Sequence, residues 1–140
     1  MDFKLELVLV PVTDVDRTKA FYLEHLGFDL LVDTPVGEMR IVQVTPPGSA
    51  CSIGFGTGLM DGTQPGTYRG MHLVVADIVA ARAQLIERGV QVSDVRHMID
   101  GAWHSGPDPN RSDYMSFADF SDPDGNGWVL QEVGHSGATT

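Results

Sequence analysis

Few side chains in this 140-residue chain are suited to chemistry: five histidines, one cysteine, nine Lys and Arg, and nineteen Asp and Glu. The lone Cys51 excludes an internal disulfide and a thiolate metal cluster. It lies in a strand pattern with no basic residue near it, so it reads as a small packed side chain rather than a nucleophile. His25 falls at a helix end, where a cation suits the dipole. His97 and His104 share one stretch without HxH or HxxxH spacing, which leaves open a metal held by both with help from Asp100 or Asp108. Asp122-Pro123-Asp124-Gly125-Asn126-Gly127 matches the first half of a calcium loop. Its twelfth position is Val133, however, and Glu132 comes one residue early, so the segment reads as a hairpin turn. The series Gly54, Gly56, Gly58 has no helix after it and no phosphate-binding lysine in Met60-Asp61-Gly62-Thr63, which makes it a linker. His72 remains. It is either a general base or ligand hydrogen-bond donor, or a strand histidine satisfied by its neighbours.

The elements that must position these groups repeat. Leu5 to Val12 is an apolar, β-branched run with the look of a buried strand. Asp14 and Asp16 then supply a cap and an acidic first turn; Ala20, Phe21, Leu23 and Leu26 recur at helical spacing, and Gly27 stops the helix. Strands follow at Phe28–Asp33, Glu38–Thr45 and Ala50–Phe55, separated by Gly37 and by Pro46-Pro47-Gly48-Ser49. The same grammar restarts at Met71–Val75, with Asp77 as cap, Ala81, Leu85 and Ile86 as the helical stripe, and Gly89 as stop. Val90–Arg96, Tyr114–Phe120 and Gly127–Val133 complete it. Asp14 stands 13 residues before Gly27 and Asp77 stands 12 before Gly89. A repeat of this size implies two supersecondary units that pack together. The expected organisation is a first βαβββ module over 1–56, a linker over 57–68, a second module over 69–133 and a flexible tail over 134–140. A long loop, 97–113, interrupts the second module.

Composition narrows the function. The formal charge is −10 and the pI about 4.6, which argues against nucleic acid, since phosphate binding needs clustered Lys and Arg. The longest apolar run, Leu7 to Val12, is far short of the roughly 20 residues that span a bilayer. The opening Met-Asp-Phe-Lys-Leu-Glu lacks a basic region followed by an apolar one, so a cytoplasmic location is expected.

Leu9-Val10-Pro11-Val12-Thr13-Asp14-Val15-Asp16-Arg17, with Phe21-Tyr22 and Leu26-Gly27-Phe28, resembles the opening of the vicinal oxygen chelate superfamily of glyoxalases, bleomycin-resistance proteins and dioxygenases. Phe120-Ser121-Asp122-Pro123-Asp124-Gly125-Asn126 is similar to that superfamily's final turn. The resemblance implies an α+β fold of two βαβββ modules whose curled sheets enclose a cavity, in a homodimer. It also implies four cavity positions that carry His, Glu or Gln in the metal-dependent members. Here they hold Leu7, Ser52, Gly70 and Val129, so no metal site and no cofactor is expected.

If Leu7 and Gly70 mark the inward face, alternation brings Leu9, His72 and Gln131 with them. Phe117 and Asp119 join that face if Ala118 and Phe120 pack on the helix. The expectation is an apolar pocket with three polar groups, His72, Asp119 and Gln131. Over it, loop 97–113 serves as a lid, setting Trp103 and Tyr114 against a flat ligand while Arg111 meets a carboxylate. The expected ligand contacts are thus Leu7, Leu9, Ser52, His72, Trp103, Arg111, Tyr114, Phe117 and Gln131. The function this favours is metal-free binding or sequestration of a small, partly aromatic molecule, to which an acidic surface adds a taste for cations. A metal-independent isomerase or lyase, with His72 and Asp119 moving protons, is the alternative. A metalloenzyme with displaced ligands comes third.

Overall fold

The computed structural model describes residues 1–138; of the tail expected from Gly134, Thr139 and Thr140 lie outside the described residues. The chain divides into two units. The first comprises residues 1–68 together with Asp122–Asn126, and the second residues 69–121 and 127 onward.

In the first unit, β1 (Leu7–Leu9) leads into α1 (Val15–Ala20), which runs on through a π-helical turn, Phe21–His25. The Asp14 carboxylate caps α1 by accepting from the Arg17 N–H at 3.0 Å, as its position before the apolar stripe predicts. Three strands follow, β2 (Asp29–Val36), β3 (Met39–Thr45) and β4 (Ser52–Thr57). They form one sheet in the order β1-β4-β3-β2, with β1 parallel to β4 and the other pairs antiparallel. Its helix side is the unit's core: Val10, Val42, Val44, Ile53 and Phe55 are buried, and Tyr22 stacks on Phe55 with ring centroids 5.8 Å apart. Burying such side chains contributes about 1.5–3 kcal/mol each. The late turn Asp122–Asn126 completes this unit. Asp122, itself buried, accepts hydrogen bonds from the Tyr22 hydroxyl at 3.0 Å and from the Asn126 amide group at 2.9 Å. Asn126 also donates to the Pro11 carbonyl. The carboxylates of Asp122 and Asp124 and the side-chain carbonyl of Asn126 all accept from protein donors, which makes the turn's role structural.

The second unit opens with β5 (Met71–Val75) and α2 (Ile78–Glu87), capped by Asp77, whose carboxylate accepts from the Ala80 N–H at 3.1 Å. The segment expected as the strand Val90–Arg96 is irregular as far as Val95. Beyond it stand β6 (Arg96–Ile99), β7 (Ala102–Ser105), β8 (Ser116–Ser121) and β9 (Gly127–Glu132). The sheet order is β5-β9-β8-β6-β7. Loop 97–113 is therefore no continuous excursion: its first part is the hairpin β6–β7, turned at Asp100 and Gly101 with φ of 50° and 80°. An Asp-Gly pair between Met98-Ile99 and Ala102-Trp103 is a strong hairpin signal, and it was legible in the sequence. The start of the tail is also fastened, with the Val133 N–H on Val75 O and the Gly134 N–H on the Asp113 carboxylate.

Candidate functional site

Alternation along β8 buries Ser116, Ala118 and Phe120 and turns Phe117 and Asp119 to the opposite face. Register carries that open face across the sheet. Phe117 pairs with Gln131 and Asp119 with Val129 on β9, while His72 and Val74 of β5 pair with Val129 and Gln131. On the other side Phe117 pairs with Arg96, and on the hairpin Met98 pairs with Trp103. His72, Asp119, Gln131 and Phe117 thus share one face of one sheet, as alternation leads one to expect, and Trp103, expected on a lid over the pocket, stands instead on strand β7 of the same face.

On its β8-β6-β7 side lies a cluster of aromatic and charged groups. The Trp103 indole is half-exposed and meets Phe117 edge to face at 5.8 Å. The Arg96 guanidinium lies over the indole, 4.6 Å from its centroid, and forms an ion pair with Asp119 at 2.9 Å. A cation over a tryptophan face is attracted by the ring quadrupole, and the carboxylate keeps the guanidinium in place. Arg96 is the residue that sequence reasoning missed. Its place as the last residue of the expected strand Val90–Arg96 hid its partner on the hairpin.

Several expected roles change. Asp119 serves Arg96 rather than His72; Val129 on β9 stands between the two residues in register, so they form no proton-transfer pair by direct contact. His72 is exposed and donates its Nδ1–H to the Gly70 carbonyl at 2.6 Å, which leaves Nε2 with the lone pair in the neutral ring. Arg111 does not await a ligand carboxylate. It grips Glu132 with two hydrogen bonds, 2.8 Å from Nε and 2.6 Å from an Nη, and reaches Asp77 at 3.3 Å. Glu132 belongs to the buried parity of β9 with Trp128 and Leu130, and it also accepts the Ile78 N–H at 2.8 Å. Burial pushes the Glu132 carboxyl up, but the Arg111 hydrogen bonds, the Ile78 N–H and the Arg111 charge outweigh it and hold the group below its ordinary value. Asp77, Glu132 and His135 crowd together, yet the guanidinium already among them takes the place a cation would need. His97 is buried, donates its Nδ1–H to the Gly106 carbonyl and stacks on His104 at 5.7 Å. Tyr114 is exposed at the edge of the face, where the Gln131 side-chain amide donates to its carbonyl.

In the first unit, Leu7 and Leu9 pair with Ser52 and Gly54. A Cβ on Gly54 would stand 3.2 Å from Leu7 and 3.1 Å from Leu9, so the glycine makes room for both leucines to lie against the sheet. Ser52 is buried and its hydroxyl shares a 2.7 Å hydrogen bond with Thr45, so it offers nothing to a ligand. This unit also holds a pocket of about 220 Å³ near Thr13, Gly56 and Asp61, below the roughly 300 Å³ of ordinary small-molecule sites.

Residues 4–130 match the model of the Glyoxalase/Bleomycin resistance protein/Dioxygenase superfamily. The chain belongs to this superfamily. Among solved structures of the superfamily's fold it is similar to TnmS3, an antibiotic binding protein from Streptomyces sp. CB03234, at 36% identity over 94% of this chain and 96% of that one, with a TM-score of 0.73. It is also similar to a glyoxalase/bleomycin resistance protein from the same Streptomyces, at 37% identity over 91% and 99% of the two chains and a TM-score of 0.70. Among curated superfamily relatives, YetH of Bacillus subtilis, an uncharacterized protein, is 26% identical over 127 residues, 89% of this chain and 94% of that one. The superfamily's α+β fold with two small sheets is the one expected from the repeat. No helix is long and apolar enough to cross a membrane among the described residues.

Proposed function

We propose that this protein binds a small, partly aromatic organic molecule on the open face of its second sheet and releases it unchanged. The observation that carries the reading is the Trp103–Phe117–Arg96 group, a half-exposed indole with a guanidinium over one ring face and a phenyl ring meeting it edge to face. Aromatic surface close to a polar group, here Gln131 paired with Phe117 across β8 and β9, is the usual make-up of a small-molecule site. The likeness to an antibiotic binding protein supports it. The residues at the superfamily's metal positions do not fit a metal. Leu7, Gly70 and Val129 have no donor atom in their side chains, and the Ser52 hydroxyl is bonded to Thr45.

The test is a titration with acridine orange, a flat aromatic cation, at 0.15 M salt. Saturable binding to the wild type, weakened at least tenfold in Trp103→Ala, with the dye recovered at unchanged mass, is the expected result. Absence of saturable binding to the wild type overturns the reading, and so does a change in the dye's mass. A companion thermal melt of chelator-stripped protein with Mn, Fe(II), Co, Ni or Zn is expected to show no shift. A metal at 100 times its Kd on the folded state alone stabilises by about 2.7 kcal/mol, and such a shift would restore a metal-assisted reaction.

A further inference from the structure

The loop after the β6–β7 hairpin contains two backbone strains of different kinds. Among the described residues, twelve glycines have positive φ and only three other residues do: Asp100, Arg111 and Tyr114. Asp100 sits in a tight hairpin turn, where aspartate tolerates the left-handed region. Arg111, at φ 51°, is held by its own side chain, the bidentate partner of buried Glu132. Tyr114, at φ 68°, is another matter. Its backbone is pinned from both sides, the N–H donating to the Glu132 carbonyl at 2.9 Å and the carbonyl accepting from Gln131. Its side chain is 60% exposed, and its phenol makes no hydrogen bond or ring contact among the described residues.

A glycine at 114 would keep both backbone bonds without the clash a Cβ suffers in this conformation. The chain uses glycine at the other unsupported positive-φ positions and a bulky phenol here. The exposed side chain makes no hydrogen bond or ring contact among the described residues that would hold the fold, and the residue is joined to the open face through the bond from Gln131 to its carbonyl. We infer that Tyr114 is a specificity-determining contact for the bound molecule, and that Arg111 is a positioning residue that holds it there through Glu132. This rests on the binding reading above. It adds that the ligand has a flat or apolar part at the Gln131 end of the sheet, and that its recognition is bought with backbone strain.

Two measurements separate the parts. Tyr114→Gly is expected to leave Tm unchanged or raise it by about 1–4 °C, strain relief being offset in part by the greater freedom of glycine in the unfolded chain. The same variant is expected to weaken acridine orange binding about fivefold or more, with Tyr114→Phe keeping most of the affinity. A fall in Tm of more than about 3 °C would make the side chain structural and overturn the inference. So would an unchanged dye affinity in Tyr114→Gly while Trp103→Ala loses it. If neither the wild type nor any variant binds the dye, it is the binding reading itself that fails. For Arg111, the Arg111→Lys substitution keeps the charge and loses the fork. Measured well below both melting temperatures, it is expected to reduce affinity in the wild-type background and to have no further effect in Tyr114→Gly. Equal losses in both backgrounds would remove the positioning role.

Discussion

Each unit carries an arginine clasped by carboxylates, and the two clusters differ in burial. In the first, Arg40 makes two 3.0 Å hydrogen bonds to Asp33, which Lys19 also meets at 2.7 Å, while Asp16 joins from α1 at 2.7 Å. Arg40 and Asp33 are 30% and 21% exposed, and Asp16 is 82% exposed. In the second, Arg111 holds a Glu132 side chain with no exposure at all. The chemistry is the same and the energetics are not. Water already solvates the first cluster, so dismantling it returns its charges to a tolerable state. Removing one partner of the second leaves a charge stranded in the interior. The buried clasp also ties three parts of the unit together: β9, the start of α2 and the strained loop bearing Tyr114.

The comparison breaks most readily at Glu132. Glu132→Gln is expected to cost about 3–5 kcal/mol, read as a fall in Tm of roughly 10 °C in thermal melts at pH 7. A loss of under 3 °C would mean that the buried clasp behaves like the surface one. The pH dependence sharpens the same point. Glu132 has a folded-state pKa below its ordinary 4.5, so its stabilisation is fully present above that value. It is lost as pH falls from about 4.5 through the depressed folded value. The gap in Tm between wild type and Glu132→Gln is therefore expected to be constant from pH 7 to 5 and to shrink below pH 4.5, followed by circular dichroism melts. A gap that stays constant down to pH 3 would contradict the assignment.

Smaller effects follow. Tyr22→Phe removes one of the donors to buried Asp122, whose Oδ2 keeps the Asn126 amide, and is expected to cost about 1–2 kcal/mol in urea unfolding. Least of all, Asp33→Asn is expected to shift Tm by little more than the scatter between replicates, and by nothing in 1 M salt. That holds even though the Arg40 hydrogen bonds, and after them Lys19, keep the Asp33 carboxyl well below the usual carboxylate range. A depressed pKa in an exposed cluster is weak evidence of stability, because solvent screens both states.

What could be read from the sequence was local. Asp14 and Asp77 cap the two helices as their spacing indicates, and Gly27 and Gly89 end them in left-handed conformations. The face shared by His72, Phe117, Asp119 and Gln131 followed from the cavity positions that the resemblance implies at Gly70 and Val129, carried along the strands by period-two alternation. The partners on that face depend on a hairpin whose Asp-Gly signal stands in the sequence but which a loop over 97–113 leaves out. Asp119 meets Arg96 because a hairpin turns at Asp100-Gly101, and a reading that made 97–113 a loop could not place Trp103 over Arg96. Arg111 failed for a different reason. Its partner is 21 residues away, and only the parity of Glu132 with Trp128 and Leu130 hinted that an acid inside the sheet needed a cation.

The turn Asp122–Asn126 has a consequence for biosynthesis. The acceptor for Tyr22 lies 100 residues after it in translation, and the amide that meets the Pro11 carbonyl lies 115 after that residue. The first module therefore waits, with the Tyr22 hydroxyl lacking its Asp122 acceptor, until a hundred further residues have been made. The protein has two similar halves, and each is completed only late in synthesis, the first by Asp122–Asn126 and the second just after it by β9.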